Sequence, residues 1–385
     1  MNRIIEKIKS ITWKYYLNYI VIGVVAAVFS ALTFAGALPQ STLYLLERMT
    51  ISIILAVSLG LVVGFLGELS LGHAGFMCIG AYIGGKVSVL LADALGKGVV
   101  NLLISLLVGA LIAAAAGFIV GLPALRLKGD YLAIVTLAFC EIVKSLFQNT
   151  SEESFGGPLG LRTPRFDKQY LFIIGFVLVL VTLAVIQNLL RSKHGRAITA
   201  IRDNEIAAHA TGINVTKYKL VAFVISAAFA GVAGVLYSFA NNNVQAAVFD
   251  YNYSIEILVM VVLGGMGNIT GTIISAAVIT YLNTTLTVVL TGNLAVLKDL
   301  IYALVLILIV VYNNAPALKN FREKYNPRKF LKALLKLTHP ESKKYADDEG
   351  AWARVPTKIE MNEILSTDIV VNESTKNPDK ADKGE

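Results

Sequence analysis

Apolar residues run almost unbroken through most of this 385-residue chain. Stretches long enough to cross a bilayer, which takes about 20 such residues, occur at about 19–38, 49–66, 75–92, 99–121, 131–148, 170–190, 218–240 and 295–312. Each predicts a transmembrane helix, and a broken run from 255 to 290 adds an irregular element.

The polar gaps between the runs set an orientation, because short basic loops stay on the cytoplasmic side. With the N-terminus inside, the loop of Arg126 and Lys128 is cytoplasmic, as is the long loop of Arg191, Lys193, Arg196, Arg202 and Lys217, while Glu152 and Glu153 fall outside. Seven crossings leave the chain outside at residue 241, yet the basic segment of Lys319, Arg322, Lys324, Arg328 and Lys329 belongs inside. Since 295–312 is one crossing back, the broken run crosses an even number of times. Interrupted at Gly264-Gly265-Met266-Gly267-Asn268, it is either two tilted crossings or a re-entrant pair of half-helices. Segment 67–75 is a second glycine-rich polar gap. It is either a short surface loop or a helix break at membrane depth, tolerated only where the freed backbone is buried in protein or lines a watery cavity. The pairs Gly60/Gly64, Gly80/Gly84, Gly117/Gly121 and Gly267/Gly271 have the spacing that lets membrane helices pack closely.

Composition excludes a soluble globule. Charged residues are 16% of the chain against about 25% in soluble domains, and mean hydropathy is +0.66. Residues 1–312 hold 34 charges and the last 73 residues hold 26, so an oily body carries a polar tail. The chain therefore divides into a cytoplasmic N-terminal segment 1–18, a transmembrane body 19–313 with its cytoplasmic loop 191–217, and a polar tail 314–385. The tail reads as largely disordered, with a short basic amphipathic helix at 329–337 on the membrane surface. The net charge of +8 reflects membrane topology rather than nucleic-acid binding. The first apolar run, at about 20 residues, is longer than a signal peptide's core of about 7–15 and reads as an uncleaved helix.

Candidate chemistry is sparse. Cys78 and Cys140 lie in apolar runs without metal or disulfide spacing. Segment 80–87 nearly fits a phosphate-binding loop, but Val87 stands where a magnesium-holding Ser or Thr is required. No other stretch has a nucleotide fingerprint, so ATP, if used, binds another chain. Ionisable groups in apolar runs are costly and count as functional candidates. Glu141 and Lys144, at i,i+3, are expected to neutralise one another. Lys298 and Asp299 are expected near an interface, Glu256 and Lys86 have no obvious local partner, and His73 reads as a hydrogen-bonded structural histidine. Asp130 is placed as an N-cap. In the 191–219 loop, 197–201 forms an amphipathic turn or two. Asp203 or Asn204 caps a short helix through 210, Gly212 stops it, and Asn214 or Thr216 caps the next membrane helix. Two short amphipathic helices suit docking into a partner's groove or lying on lipid.

Several motifs resemble one family. Gly67-Glu68-Leu69-Ser70-Leu71-Gly72-His73-Ala74-Gly75-Phe76 with Ile79-Gly80-Ala81-Tyr82 is similar to a signature of LivM-type permeases of branched-chain amino acid ABC importers. So are the segments 126–139, Gly156-Gly157-Pro158, 195–215 and 262–268, in order along the chain. The resemblance implies an all-α polytopic membrane protein, a bundle of about 8–10 transmembrane helices with broken or re-entrant half-helices, like ribose-importer permeases. It implies a second LivH-type permease subunit, two cytoplasmic ATPase subunits that bind ATP and magnesium, and an extracytoplasmic substrate-binding protein. This chain itself would bind no cofactor and no metal and would have no catalytic residue. Gly195, Arg196, Arg202, Glu205, Ala207, Ala208 and Gly212 would form the ATPase-coupling loop. Ile206 stands where many ABC permeases have Glu. Glu68, Ser70, Gly72, His73, Gly264, Gly265 and Gly267 would lie on the translocation path, where half-helix ends can offer N–H groups to a substrate carboxylate. Relatives of this type also serve urea and amides. The competing class is an ion-gradient-driven secondary transporter or channel using Glu68, His73 and Glu256. A receptor or scaffold acting through the tail is disfavoured, because so few apolar residues cannot build a folded signalling domain.

Overall fold

The computed structural model describes residues 13–36, 38–96, 98–127, 129–164 and 168–289, with residues 300, 303, 304 and 307. Lys128, Lys298, Asp299, most of the expected 295–312 crossing and the basic C-terminal segment lie outside the described residues. Of two compact units, Met1–Asn313 and Asn314–Glu385, only the first is described.

Helix α1 spans Trp13–Phe34, α2 Gln40–Gly60 continuing as a wider π-helical stretch Leu61–Leu66, α3 His73–Leu95, α4 Val99–Ala124 and α5 Asp130–Gln148. After one helical turn at Glu152–Phe155 come β1, Leu161–Arg162, and α6, Lys168–Arg191. The short helices α7, Lys193–Asp203, and α8, Glu205–Ala210, precede α9, Val215–Ala240. Strand β2, Asn243–Val244, and helices α10, Tyr251–Gly264, and α11, Ile269–Val289, follow. Among the described residues six helices are long and apolar enough to cross a membrane, including 40–66 and 215–240. Asp130 is a correction to the expected cap: Gly129, at φ +61°, holds the cap position and Asp130 is the first helical residue. There its carboxylate still lies at the positive end of the helix dipole.

The bundle is packed as lipid demands. Along α4 the small residues Gly109, Ala113, Gly117 and Gly121 face inward, while Leu103, Leu107, Leu111 and Ile119 are exposed. Large side chains gain nothing by leaving hydrocarbon, so backbone proximity does the packing. Helices α3, α4 and α9 meet through glycine: a Cβ at Gly231 would stand 2.5 Å from Ala113 Cβ, and one at Gly80 would strike the Gly231 backbone. Helix α2 is the central element, with 89% of its apolar window buried. Cys78 and Cys140 are free and buried.

Helix α10 has 14 residues, about 21 Å at 1.5 Å per residue, which is less than a hydrocarbon core of about 30 Å. Helix α11, with 21 residues, reaches about 31 Å. The two run antiparallel: Ser275 Oγ donates to the Met260 carbonyl, and Asn283 Nδ2 donates to Glu256 Oε1 at 2.7 Å. The broken run is thus one short and one full helix, and it returns the chain to the end from which it set out.

Candidate coupling face and the helix breaks

Local sequence builds α7 and α8 as ordered elements. The Ser192 hydroxyl accepts from the N–H of His194 and Gly195 at 3.1 and 3.4 Å, starting α7. Its Ala197, Ile198 and Ile201 are buried and Arg196 is exposed. Of the two candidate caps, Asn204 is the one used, accepting from Ala207 N at 3.0 Å. Gly212, at φ +84°, turns the chain out of α8, and Asn214 caps α9 through Lys217 N at 3.1 Å. On α8 only Ala208 is buried. Ile206, 80% exposed, points outward with Ala207, His209 and Gly212.

The root of this element is tied into both interruptions of the membrane helices. Arg202 donates through Nη1 to the Gly64 carbonyl at 3.2 Å, while its Nε and Nη2 hold Asp203 Oδ1 at 3.0 and 2.8 Å. Gly64 lies in the π-helical stretch that ends at Gly67, where φ is +82°. Gly64 also abuts the second break, since a Cβ on it would lie 2.6 Å from Gly267 N. Lys219 Nζ binds Glu68 Oε1 at 2.5 Å and Glu205 Oε2 at 3.2 Å. Its side chain is only 4% exposed, so the two carboxylates replace the water it has lost. One lysine therefore joins the first break, α8 and α9.

Glu68, which the resemblance assigns to the translocation path, thus sits beside Glu205 and Arg202, which it assigns to the coupling loop. Gly265 and Gly267, both at positive φ, form the α10–α11 turn that Gly264 opens. Beyond Glu68 the 67–72 segment turns into the protein interior, where Ser70, Gly72 and His73 are buried. His73 Nε2 is 2.8 Å from Ser58 Oγ. The hydroxyls of Thr136 and Ser254 accept the N–H groups of Leu71 and Ala74 at 3.0 and 3.1 Å. Glu141 and Lys144 pair at 2.6 Å. Lys86 donates to the Glu153 carbonyl at 3.2 Å.

Sequence reasoning missed Lys219 and Arg48. Lys219 lies inside an apolar run, which is the available signal, but its carboxylate Glu68 is 151 residues away. Arg48 stands at the edge of another run, four residues after Tyr44, whose hydroxyl its Nε binds at 2.7 Å.

Buried polar breaks, an ordered outward-facing loop element and at least six membrane-length helices define a multi-pass membrane protein. Comparison with known proteins specifies which kind: the family model of the branched-chain amino acid transport system permease component matches residues 41–310. The high-affinity branched-chain amino acid transport system permease protein LivM of Escherichia coli (strain K12) is 38% identical over 305 residues, covering 71% of this chain and 69% of LivM. A probable LivM of Methanocaldococcus jannaschii is 30% identical over 251 residues, 56% of this chain and 72% of its own length. The ribose import permease RbsC of Escherichia coli (strain K12) is 26% identical over 291 residues, 70% of this chain and 84% of RbsC. No solved structure matches. The chain belongs to the branched-chain amino acid transport system permease family. The ion-gradient alternative gains no support, since Glu68 and Glu256 are engaged at opposite ends of the bundle, by Lys219 and Asn283.

Proposed function

We propose that this chain is a transmembrane permease subunit of an ATP-driven importer for branched-chain amino acids. It works by alternating access in the bacterial inner membrane with both termini cytoplasmic. The α7–α8 end carries Arg126, Arg191, Lys193, Arg196 and Lys217, as a cytoplasmic face should. A LivH-type permease pairs with the chain, an extracytoplasmic binding protein delivers substrate, and two ATPase subunits hold ATP and magnesium. This chain is not the enzyme.

The observation that carries the proposal is the form of α7–α8: an exposed face around Ile206 and Ala207 rooted by Arg202 and Lys219 in both helix breaks. A partner that moves the face moves the breaks. Glu205 is turned inward onto Lys219, so the docking contact rests on the apolar Ile206 rather than on charge. Ile206→Asp and Ala207→Arg should leave membrane insertion intact, lose the ATPase subunits on purification and abolish ATP-driven leucine uptake. Normal uptake by both variants would overturn the assignment. Affinity purification from the native membrane should also recover a second permease chain and nucleotide-binding subunits.

A further inference from the structure

At the end of the bundle away from α7 and α8, a cavity of about 490 Å³ opens between α2, α9, α10 and α11. Its volume falls within the range of about 300–1,000 Å³ typical of small-ligand sites. Three tyrosines line it, each near a helix end: Tyr44 in the second turn of α2, Tyr237 in the last turn of α9 and Tyr253 in the first turn of α10. Tyrosine gathers where membrane helices meet the headgroup layer, so the cavity stands at that level.

Arg48, one turn deeper on α2, bends back toward the same level. Its Nε donates to the Tyr44 hydroxyl at 2.7 Å, and its guanidinium carbon stands 5.1 Å from the Tyr44 ring centroid and 5.8 Å from that of Tyr237. A long cationic side chain rooted in apolar surroundings reaches for the membrane surface in this way. Among the described residues neither Nη of Arg48 makes a hydrogen bond and no carboxylate pairs with it. The unused part of the guanidinium is the two-pronged edge that matches the paired oxygens of an anion such as phosphate.

A second group in the wall also lacks a partner. Thr280, on α11, is 5% exposed, and its hydroxyl makes no hydrogen bond among the described residues. A buried hydroxyl left unpaired is destabilising, and a ligand oxygen would satisfy it. Thr284 and Thr287 continue this wall toward the end of α11, while Leu45, Ile51 and Met260 supply apolar surface. Glu256 faces the same cavity and accepts from Asn283 Nδ2 through Oε1 at 2.7 Å. Its charge disfavours a doubly charged anion beside a single guanidinium and leaves a singly charged phosphodiester as the better match. Helix α11 is the least covered of the six membrane-length helices among the described residues, with 22% of its apolar window buried, so lipid lies alongside this wall.

We propose that the cavity holds the headgroup of an anionic phospholipid of the phosphatidylglycerol type, with Arg48 and Thr280 binding its phosphate and the threonines of α11 meeting its glycerol hydroxyls. The site asks only that the chain lie in a membrane, and so it is independent of the permease reading.

The test uses the full-length chain with its accompanying subunits, stripped of lipid in mild detergent, and phosphatidylglycerol as probe. Bound lipid is counted by native mass spectrometry, and its stabilisation is read as a rise in melting temperature, which follows from binding to the folded state alone. A hydrogen bond to a charged group is worth roughly ten- to hundredfold in affinity, and Arg48→Gln should weaken phosphatidylglycerol binding by about that factor. Arg48→Lys should recover part of the loss, keeping the charge but not the two-pronged geometry. Thr280→Val separates recognition from damage to the fold: without lipid it should melt no earlier than wild type, since it removes an unpaired hydroxyl, yet gain less from added lipid. Wild-type binding and stabilisation in both Arg48→Gln and Thr280→Val would overturn the site. Inorganic phosphate that displaces the lipid and gives the same Arg48-dependent stabilisation would overturn the lipid assignment in favour of a free anion.

Discussion

The two ends of the bundle use charge in opposite ways. At the α7–α8 end two cations are spent on other parts of the same chain: Lys219 on Glu68 and Glu205, Arg202 on Asp203 and the Gly64 carbonyl. At the other end Arg48 and Glu256 are held by Tyr44 and Asn283 and line a cavity. The first arrangement bonds separate segments into one piece, which on the proposed function transmits displacement. The second gathers side chains of α2, α10 and α11 around one open cavity. One helix pair, α10–α11, takes part in both.

The comparison is broken most severely at Lys219. Lys219→Met removes the cation between two carboxylates and leaves Glu68, 14% exposed, without its partner. Breaking a buried pair from one side costs about 3–5 kcal/mol, at the low end here because Glu205 is 39% exposed. The variant should melt markedly earlier in detergent and lose ATP-driven uptake. Adding Glu68→Gln should restore much of the melting temperature but not the coupling, which separates stability from transmission.

A smaller effect is expected midway between the ends. Gly80→Val drives a branched side chain into the Gly231 backbone, which cannot swing aside, and overpacking of this kind costs about 1–3 kcal/mol. Detergent melts should fall accordingly, and ATP-driven uptake should fall with them. The smallest effect is at Gly67, where φ is +82° and a Cβ would stand 2.7 Å from Arg202 Cγ, the flexible part of that side chain. Gly67→Ala should cost about 1–2 kcal/mol through the left-handed backbone and slow uptake without loss of the ATPase subunits. Unchanged ATP-driven uptake in all three variants would erase the distinction between the ends.

Much of the fold was legible because its causes are local. Apolar run length located the helices, Asp203 or Asn204 and Asn214 or Thr216 marked two helix starts by capping chemistry, of which Asn204 and Asn214 are the caps used, and the glycine pairs pointed to close approaches that the packing of Gly80 and Gly117 realises. Asp130 misled because the preceding Gly129 adopts a backbone that holds the cap position without a side-chain bond. The sites were less legible, because their partners are remote in sequence. Nothing near Glu68 announces Lys219, and nothing near Arg48 announces that Glu256 and Asn283 will face the same cavity. The 67–75 gap left two readings open, and only the burial of Ser70, Gly72 and His73 separates an interior break from a surface loop.

The two-residue ribbon far from α7 and α8 has a mechanical meaning. Leu161 pairs with Val244 and Arg162 with Asn243. Thr163 donates from its N–H to the Asn242 carbonyl at 3.1 Å and from its hydroxyl to the Ser238 carbonyl at 2.7 Å. The Tyr82 hydroxyl fastens the Val244 carbonyl at 3.0 Å. The connection after α5 and the connection after α9 are thereby clasped together and to α3. A rod pushed at one end while pinned at the other does not translate; it swings. On the proposed mechanism the clasp is the fulcrum, and a small thrust at Ile206 becomes a tilt whose amplitude grows with distance from the ribbon.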